Sequence, residues 1–232
     1  AAQAQNDHAG FFLRTTQGRP WVTLKLAQSL DGRIATAQGE SRWITGPAAR
    51  RHVHMDRLRH DAVMIGAGTA RADDPSLTVR DLGPVAQPVR VVVSGRLDLP
   101  TDSVLARTAR QVPVWLMHGP DAPDAVRSQW DDLGARRFAL PDTSPDAVLQ
   151  ALGTAGLTRI YCEGGGQLAA SLLRAGRVDE LVSYAAGLAI GGDGRASLAE
   201  LGIDRLAQMP RFDLVTQHDV GGDVLHRWRR RG

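Results

Sequence analysis

The chain has 232 residues, of which 43% are hydrophobic and 23% charged, with a formal net charge of +3; this fits a globular protein with a sizeable core and excludes disordered, collagenous and coiled-coil classes. No apolar run approaches the roughly 18 residues of a membrane span, and no charged-then-apolar signal opens the chain, so a cytoplasmic protein is expected. The single cysteine, Cys162, excludes an internal disulfide and a multi-thiolate zinc site.

Residues 1–19 are polar with few periodic apolar positions, and read as a linker or N-terminal extension before one domain over 20–232. From there apolar β-rich runs alternate with helical patterns. Strands are predicted near 21–27, 62–65, 89–93, 114–117 and 159–162, and helices near 47–60, 121–133, 144–155 and 167–175. Such alternation predicts an α/β fold, with a mainly parallel central sheet and helices on both faces. The end differs: 181–186, 211–218 and 224–229 read as strands without long helices between them. Gly221-Gly222-Asp223 turns the last two into a C-terminal antiparallel hairpin.

Ligands of open α/β sheets bind outside the carboxyl ends of the parallel strands, so the residues after each strand carry the functional signal. Glu163-Gly164-Gly165-Gly166-Gln167 follows the strand at 159–162 and runs into a helix. Bare backbone there suits a diphosphate at the helix N-terminus, although an ordinary strand-to-helix turn would show the same glycines. Gly66-Ala67-Gly68-Thr69 lacks the third glycine of a dinucleotide fingerprint. Ser94-Gly95-Arg96 offers hydroxyl and guanidinium donors at a strand end, which favours the 2′-phosphate of NADP over NAD; a plain polar turn is the alternative.

All but one of the 28 Lys+Arg are arginine, and the exception, Lys25, stands near the end of the first strand. Lysine is hard to replace where a compact ammonium must give up a proton, while a strand-end lysine with its head in water is the plain reading. Arg57 and Arg80 are candidate forks for a terminal phosphate, Arg57 having an ion pair with Asp56 or Asp61 as its alternative. Acidic residues are interleaved with the arginines and only 226–231 forms a basic cluster, which speaks against nucleic-acid binding. None of the histidines begins the His-x-Glu of a zinc deaminase, and neither a Gly-x-Ser-x-Gly elbow nor a Gly-x-x-x-x-Gly-Lys loop occurs. His52 and His54 face apart on a helix, so no metal is expected.

Several ordered motifs then coincide: Leu24-Lys25-Leu26-Ala27, Ser29-Leu30-Asp31-Gly32-Arg33-Ile34-Ala35, Gly39-Glu40-Ser41-Arg42-Trp43-Ile44-Thr45, Ala49-Arg50-Arg51, Gly68-Thr69, Asp73-Asp74-Pro75-Ser76-Leu77-Thr78-Val79-Arg80, Glu163-Gly164-Gly165-Gly166 and Val178-Asp179-Glu180-Leu181. With them, about residues 10–230 resemble the reductase domain of the bacterial bifunctional riboflavin-biosynthesis deaminase/reductase. The resemblance implies a dihydrofolate-reductase-like fold and a homodimer. It also implies reduction by NADPH of a phosphorylated pyrimidine-ribose, 5-amino-6-(5-phosphoribosylamino)uracil, to the ribityl compound. Gly10-Phe11-Phe12 with Arg19-Pro20 resembles the family's connector to an upstream deaminase domain.

Carried over by motif, the substrate contacts are Ser41, Arg57, Leu77, Arg80 and Glu163, the two arginines on the phosphate. The cofactor contacts are Ala27, Trp43, Thr69, Asp73, Ser94 and the stretch Gly165, Gly166, Gln167, Leu168, Ala169, Ala170 and Ser171, with Arg96 added from the residue reading. Lys25 and Glu163 are the expected catalytic pair, Lys25 as proton donor to the ribose ring oxygen and Glu163 orienting the sugar. The chain departs from the family pattern at Gln167, where a small hydroxyl residue is common, and at Gly187-Leu188-Ala189-Ile190-Gly191-Gly192, which lacks a preceding Pro-Lys. Competing readings are a pterin or folate reductase of the same fold and a nucleotide-binding module without turnover.

Overall fold

The computed structural model describes residues 8–231. Helix α1 (Ala9–Gln17) leads into strand β1 (Trp21–Ser29) and the short β2 (Arg33–Ala35). Then follow α2 (Pro47–Leu58), β3 (Ala62–Gly66), α3 (Ala67–Asp73), β4 (Val89–Val93), α4 (Val104–Arg107) and β5 (Val114–His118). The chain continues through α5 (Asp124–Asp132), β6 (Arg136–Ala139), α6 (Pro145–Thr154), β7 (Arg159–Gly164) and α7 (Gly166–Arg174). It ends with β8 (Glu180–Ala186), β9 (Arg195–Ala196), a 3-10 turn at Leu206–Gln208, β10 (Phe212–Val220) and β11 (Asp223–Arg230).

The main sheet has nine strands in the order β10-β11-β8-β1-β7-β3-β4-β5-β6. The run from β8 to β6 is parallel, and β11 and β10 add antiparallel at one edge. The expected α/β sheet with a terminal hairpin is therefore present. β2 and β9 form a separate two-stranded ribbon.

Alternation along the strands sorts side chains between two layers. On one face Val22, Leu24, Leu26, Ile160 and Cys162 pack with Leu149 and Leu152 of α6 and Ala169, Leu172 and Leu173 of α7. On the other face there are two apolar clusters. Val63, Ile65, Val92 and Leu116 pack under α3, α4 and α5, while Val182, Tyr184 and Leu225 pack under Ala49 and Val53 of α2. Between them the facing residues of β1 and β7, Thr23, Lys25, Tyr161 and Glu163, are polar, and this is where the layer opens.

Six helices and strands were not foreseen from sequence. Residues 9–17, read as linker, form α1, because contact with the body replaces the periodicity that the segment lacks. A Cβ on Gly10 would lie 2.5 Å from Thr158 O, and one on Gly153 would lie 2.1 Å from Gly18 O. The Arg14 Nε also donates to Gly153 O at 3.0 Å. Residues 1–7 of the expected linker lie outside the described residues. β6 is short, exposed and arginine-rich, so it carries almost no apolar alternation. α3 and α4 are brief, and the β2–β9 ribbon pairs segments distant in sequence.

Candidate active site

β1 and β7 run parallel with Leu24 opposite Cys162, so the next residues, Lys25 and Glu163, emerge as neighbours on the same face. They form the floor of a cleft of about 750 Å³, roofed by α2 and by the segment 73–81. Of the residues expected from sequence, Lys25, Ala27, Ser41, Trp43, Arg57, Asp73, Leu77, Arg80 and Glu163 all line this cleft.

Charge organises the floor. Burial pushes the Glu163 carboxyl up, but the charge and hydrogen bonds of Arg57, aided by Lys25 and His54, outweigh it and hold the group at about 2. Glu163 is thus a permanent carboxylate. Burial lowers the Lys25 ammonium, with Glu163 and Asp73 opposing and Arg57 assisting that shift. No hydrogen bond joins the Lys25 ammonium to another described residue, so its protons are left to whatever occupies the cleft.

Arg57 has a role that the sequence did not show. Its Nε and Nη2 grip Glu163 Oε1 and Oε2 at 2.5 and 2.9 Å, and its Nη1 donates to Thr78 O at 2.7 Å. Three of its five N–H donors are thus used to hold Glu163 and the 73–81 segment, and Nη1 and Nη2 each keep one more. The alternative reading, an ion pair with Asp56 or Asp61, is not what forms: Asp56 is gripped by Arg227, and Asp61 accepts from Thr158 and Arg159. Arg80 keeps a free share of its guanidinium, one nitrogen donating to Ser76 Oγ.

The 73–81 segment is irregular but anchored. Leu77 takes φ 55 and is 2% exposed, a left-handed conformation that a branched side chain adopts only where its surroundings enforce it. Arg90, fully buried in β4, reaches Ser76 O and Thr108 Oγ1 at 3.3 and 2.7 Å, and the Gln87 amide brackets Val79 at its N–H and carbonyl.

The remaining expected cofactor residues lie outside this cleft. The Thr69 hydroxyl accepts from Gly165 N–H at 3.0 Å, and a Cβ on Gly165 would stand 2.8 Å from that oxygen. Gly166 faces the backbone of Ala196, Ser197 and Ala199. These two glycines therefore make room for protein neighbours, as the strand-to-helix turn left open from sequence would require. Leu168 and Ala169 turn into the core, and Ala170 is fully buried. Ser171 lies about 7 Å along the axis from the start of α7. The buried methyls of Ala169 and Ala170 leave backbone as what those two positions can offer a cofactor, while Leu168 is only partly buried.

A dinucleotide nevertheless fits. Gly165 precedes α7 as its cap and offers no side-chain hydrogen bond, leaving first-turn N–H donors for an anion. Trp43 presents an indole 67% exposed at the cleft mouth, with the Arg50 guanidinium 4.5 Å over its ring. At the end of β4, Ser94 Oγ donates to Asp98 Oδ1 at 2.9 Å, and Arg71 pairs with the same carboxylate at 2.6 Å. Asp98 was not anticipated there. Arg96 is exposed beside them.

Sequence reasoning also missed Arg50, Arg51, His54 and Ser76, all of which line the cleft. A signal existed: Pro47, Arg50, Arg51, His54 and Arg57 fall at helical spacing and share one face of α2. Among the described residues no group of three His, Cys, Asp or Glu could hold a metal, and no helix is long and apolar enough to cross a membrane.

Fold and cleft together define a dihydrofolate-reductase-like α/β protein with a lysine–carboxylate pair at the carboxyl ends of its central strands. Residues 20–226 match the RibD C-terminal domain, and the chain belongs to that family. It is 37% identical over 218 residues to the riboflavin biosynthesis protein RibD of Bacillus amyloliquefaciens, covering 92% of this chain and 57% of that protein. The structure of Acinetobacter baumannii RibD superposes with a TM-score of 0.86 at 34% identity, covering 99% of this chain and 63% of that one. A Thermotoga maritima diaminohydroxyphosphoribosylaminopyrimidine deaminase/5-amino-6-(5-phosphoribosylamino)uracil reductase gives 0.80 at 26% identity, over 96% and 60%. The chain thus spans about three fifths of these relatives' length. Enterococcus faecalis dihydrofolate reductase shares the fold, with a TM-score of 0.53 at 13% identity over 93% and 98% of the two chains.

Proposed function

We propose that this chain is an NADPH-dependent 5-amino-6-(5-phosphoribosylamino)uracil reductase, converting the ribose of that substrate to a ribityl chain in riboflavin biosynthesis. The observation that carries the reading is the pairing of Lys25 with an ionised Glu163 on the floor of a cleft lined by Arg80. Membership of the RibD C-terminal domain family supports it, as does the reductase activity named for the Thermotoga protein. We assign that protein's deaminase activity to the part of it this chain does not match, since no His-x-Glu zinc motif occurs here.

In the proposed reaction the N-glycoside opens by breaking the bond from C1′ to the ring oxygen. Lys25 gives its proton to that oxygen, which becomes the C4′ hydroxyl, and C1′ is left as an imine. NADPH, when bound, supplies the hydride that reduces C1′. Glu163, held charged by Arg57, stabilises positive charge on the imine nitrogen. The first turn of α7 and the face of Trp43 are the elements that would hold the dinucleotide, with Ser94, Arg71 and Arg96 near its 2′-phosphate. The test is NADPH absorbance with and without the phosphoribosylamino substrate. Oxidation is expected only with it, and turnover of dihydrofolate in its place would replace this reading with a folate reductase.

A further inference from the structure

The phosphate of a phosphorylated sugar in this cleft would meet Arg80, and a further polar side chain lines the cleft one helical turn before Arg57. His54 is 8% exposed and lines the cleft. Its Nδ1 lies 3.3 Å from the backbone N–H of Arg80 and accepts it. An imidazole that accepts at Nδ1 carries its proton on Nε2, and no described residue hydrogen-bonds to that Nε2. Burial, with Arg57 and Arg80 adding to it, holds the ring below its usual pKa, so it stays neutral near pH 7. That N–H is not enclosed by protein, so it is left to whatever enters the cleft.

Position points to which part of a ligand that is. The charges that act on His54 are Arg57 and Glu163 on the floor and Arg80 and Asp81 at the far rim. The ring therefore stands between the place where C1′ of a pentose would react and the place where its 5-phosphate would end. We propose that His54 donates its Nε2–H to the phosphate of a phosphorylated sugar in this cleft, sharing the anion with Arg80. The inference rests on the reductase reading only for the class of ligand.

The test separates the two ring nitrogens. The amide of Asn reaches about as far as Nδ1 and keeps the acceptor for Arg80, whereas the amide of Gln reaches about as far as Nε2 and keeps the donor. Ribose 5-phosphate binding is measured by calorimetry on the full chain, without cofactor or turnover, for wild type, His54→Asn and His54→Gln. The expected result is a loss of about tenfold or more for His54→Asn, the scale of a hydrogen bond to a charged group, with His54→Gln within about threefold of wild type. Three results would overturn the proposal: wild-type affinity in His54→Asn, equal losses in both variants, or no binding of ribose 5-phosphate by wild type. If binding depends on His54 in this way but NADPH is not oxidised with the aminouracil substrate, the reductase reading fails and the His54 assignment stands.

Discussion

Lys25 and Glu163 sit on adjacent strands, yet their environments push them to different tasks. Glu163 is charged across the working range, so it should contribute no acid limb near neutrality to a pH–rate profile. Lys25 has its ammonium lowered by burial, so an alkaline limb should fall below 10.5, as donation is lost when that proton leaves. Lys25→Met should lower kcat by about a hundredfold or more, the scale of a positioned general acid, and the residual activity should lack the limb. Steady-state kinetics across pH read both, and an unchanged kcat removes Lys25 from the chemistry. Arg57→Met makes a contrasting case, because it leaves a buried carboxylate without its counter-charge. Losing one member of such a pair costs roughly 3–5 kcal/mol, so the urea midpoint should fall. Glu163 should also titrate well above about 2, so that an acid limb appears where wild type has none. A rise in KM alone, with unchanged stability and pH profile, would instead mean that Arg57 acts on the phosphate and not through Glu163.

At the scale of elements, the parallel strands and the longer helices were legible because hydrophobic period and flanking turn residues agree there. Pro47 opens α2 and Pro145 opens α6, both at first-turn positions. The elements that escaped depend on partners remote in sequence: α1 on Gly153 and Thr158, β2 on β9, β6 on β5. The site shows the same division. Lys25, Glu163, Trp43 and Arg80 were visible as unusual residues after strands, whereas the bidentate grip of Arg57 on Glu163 required the 106-residue separation to be closed by the fold. The start of α7 shows how far local chemistry reads correctly. Glycine at 165 is required there, but by Thr69 and not by a ligand alone. Gly165→Ala should cost about 1–3 kcal/mol by overpacking and raise KM for NADPH as the first turn of α7 shifts. Thr69→Ala in the same chain removes the clashing oxygen, so the double variant should regain part of the stability lost. Thermal melts of the four-member cycle measure that coupling, and purely additive losses would mean that the two residues do not meet.

Across the whole molecule, buried ionic groups tie regions that the apolar clusters leave apart. Arg19 holds Asp179 at the start of β8, and Arg227 of β11 bridges Asp56 of α2 and Glu180 of β8. The same region contains His52 against Tyr184 and His60 against Thr23 and the Asp56 carbonyl. Burial lowers His52, His54 and His60 below their usual 6.5. A histidine whose folded pKa is depressed takes up its proton more readily when the chain unfolds. The stability it contributes is therefore complete above the unfolded value near 6.5 and is lost as pH falls towards the folded one. Each buried ring adds at most about 1.4 kcal/mol per pH unit to that slope. Glu163 acts with the same sign further down, from about 4.3 towards about 2. The melting temperature should therefore fall between pH 7 and pH 5, before most carboxylates titrate. The slope should be shallower in His60→Gln, which keeps a polar side chain but has no proton to gain, even if that variant melts lower throughout. Scanning calorimetry at matched ionic strength compares the two slopes. If wild type were flat or rising from pH 7 to pH 5, its histidines would have to be charged in the fold, with His60 carrying a proton on both ring nitrogens between Asp56 and Thr23.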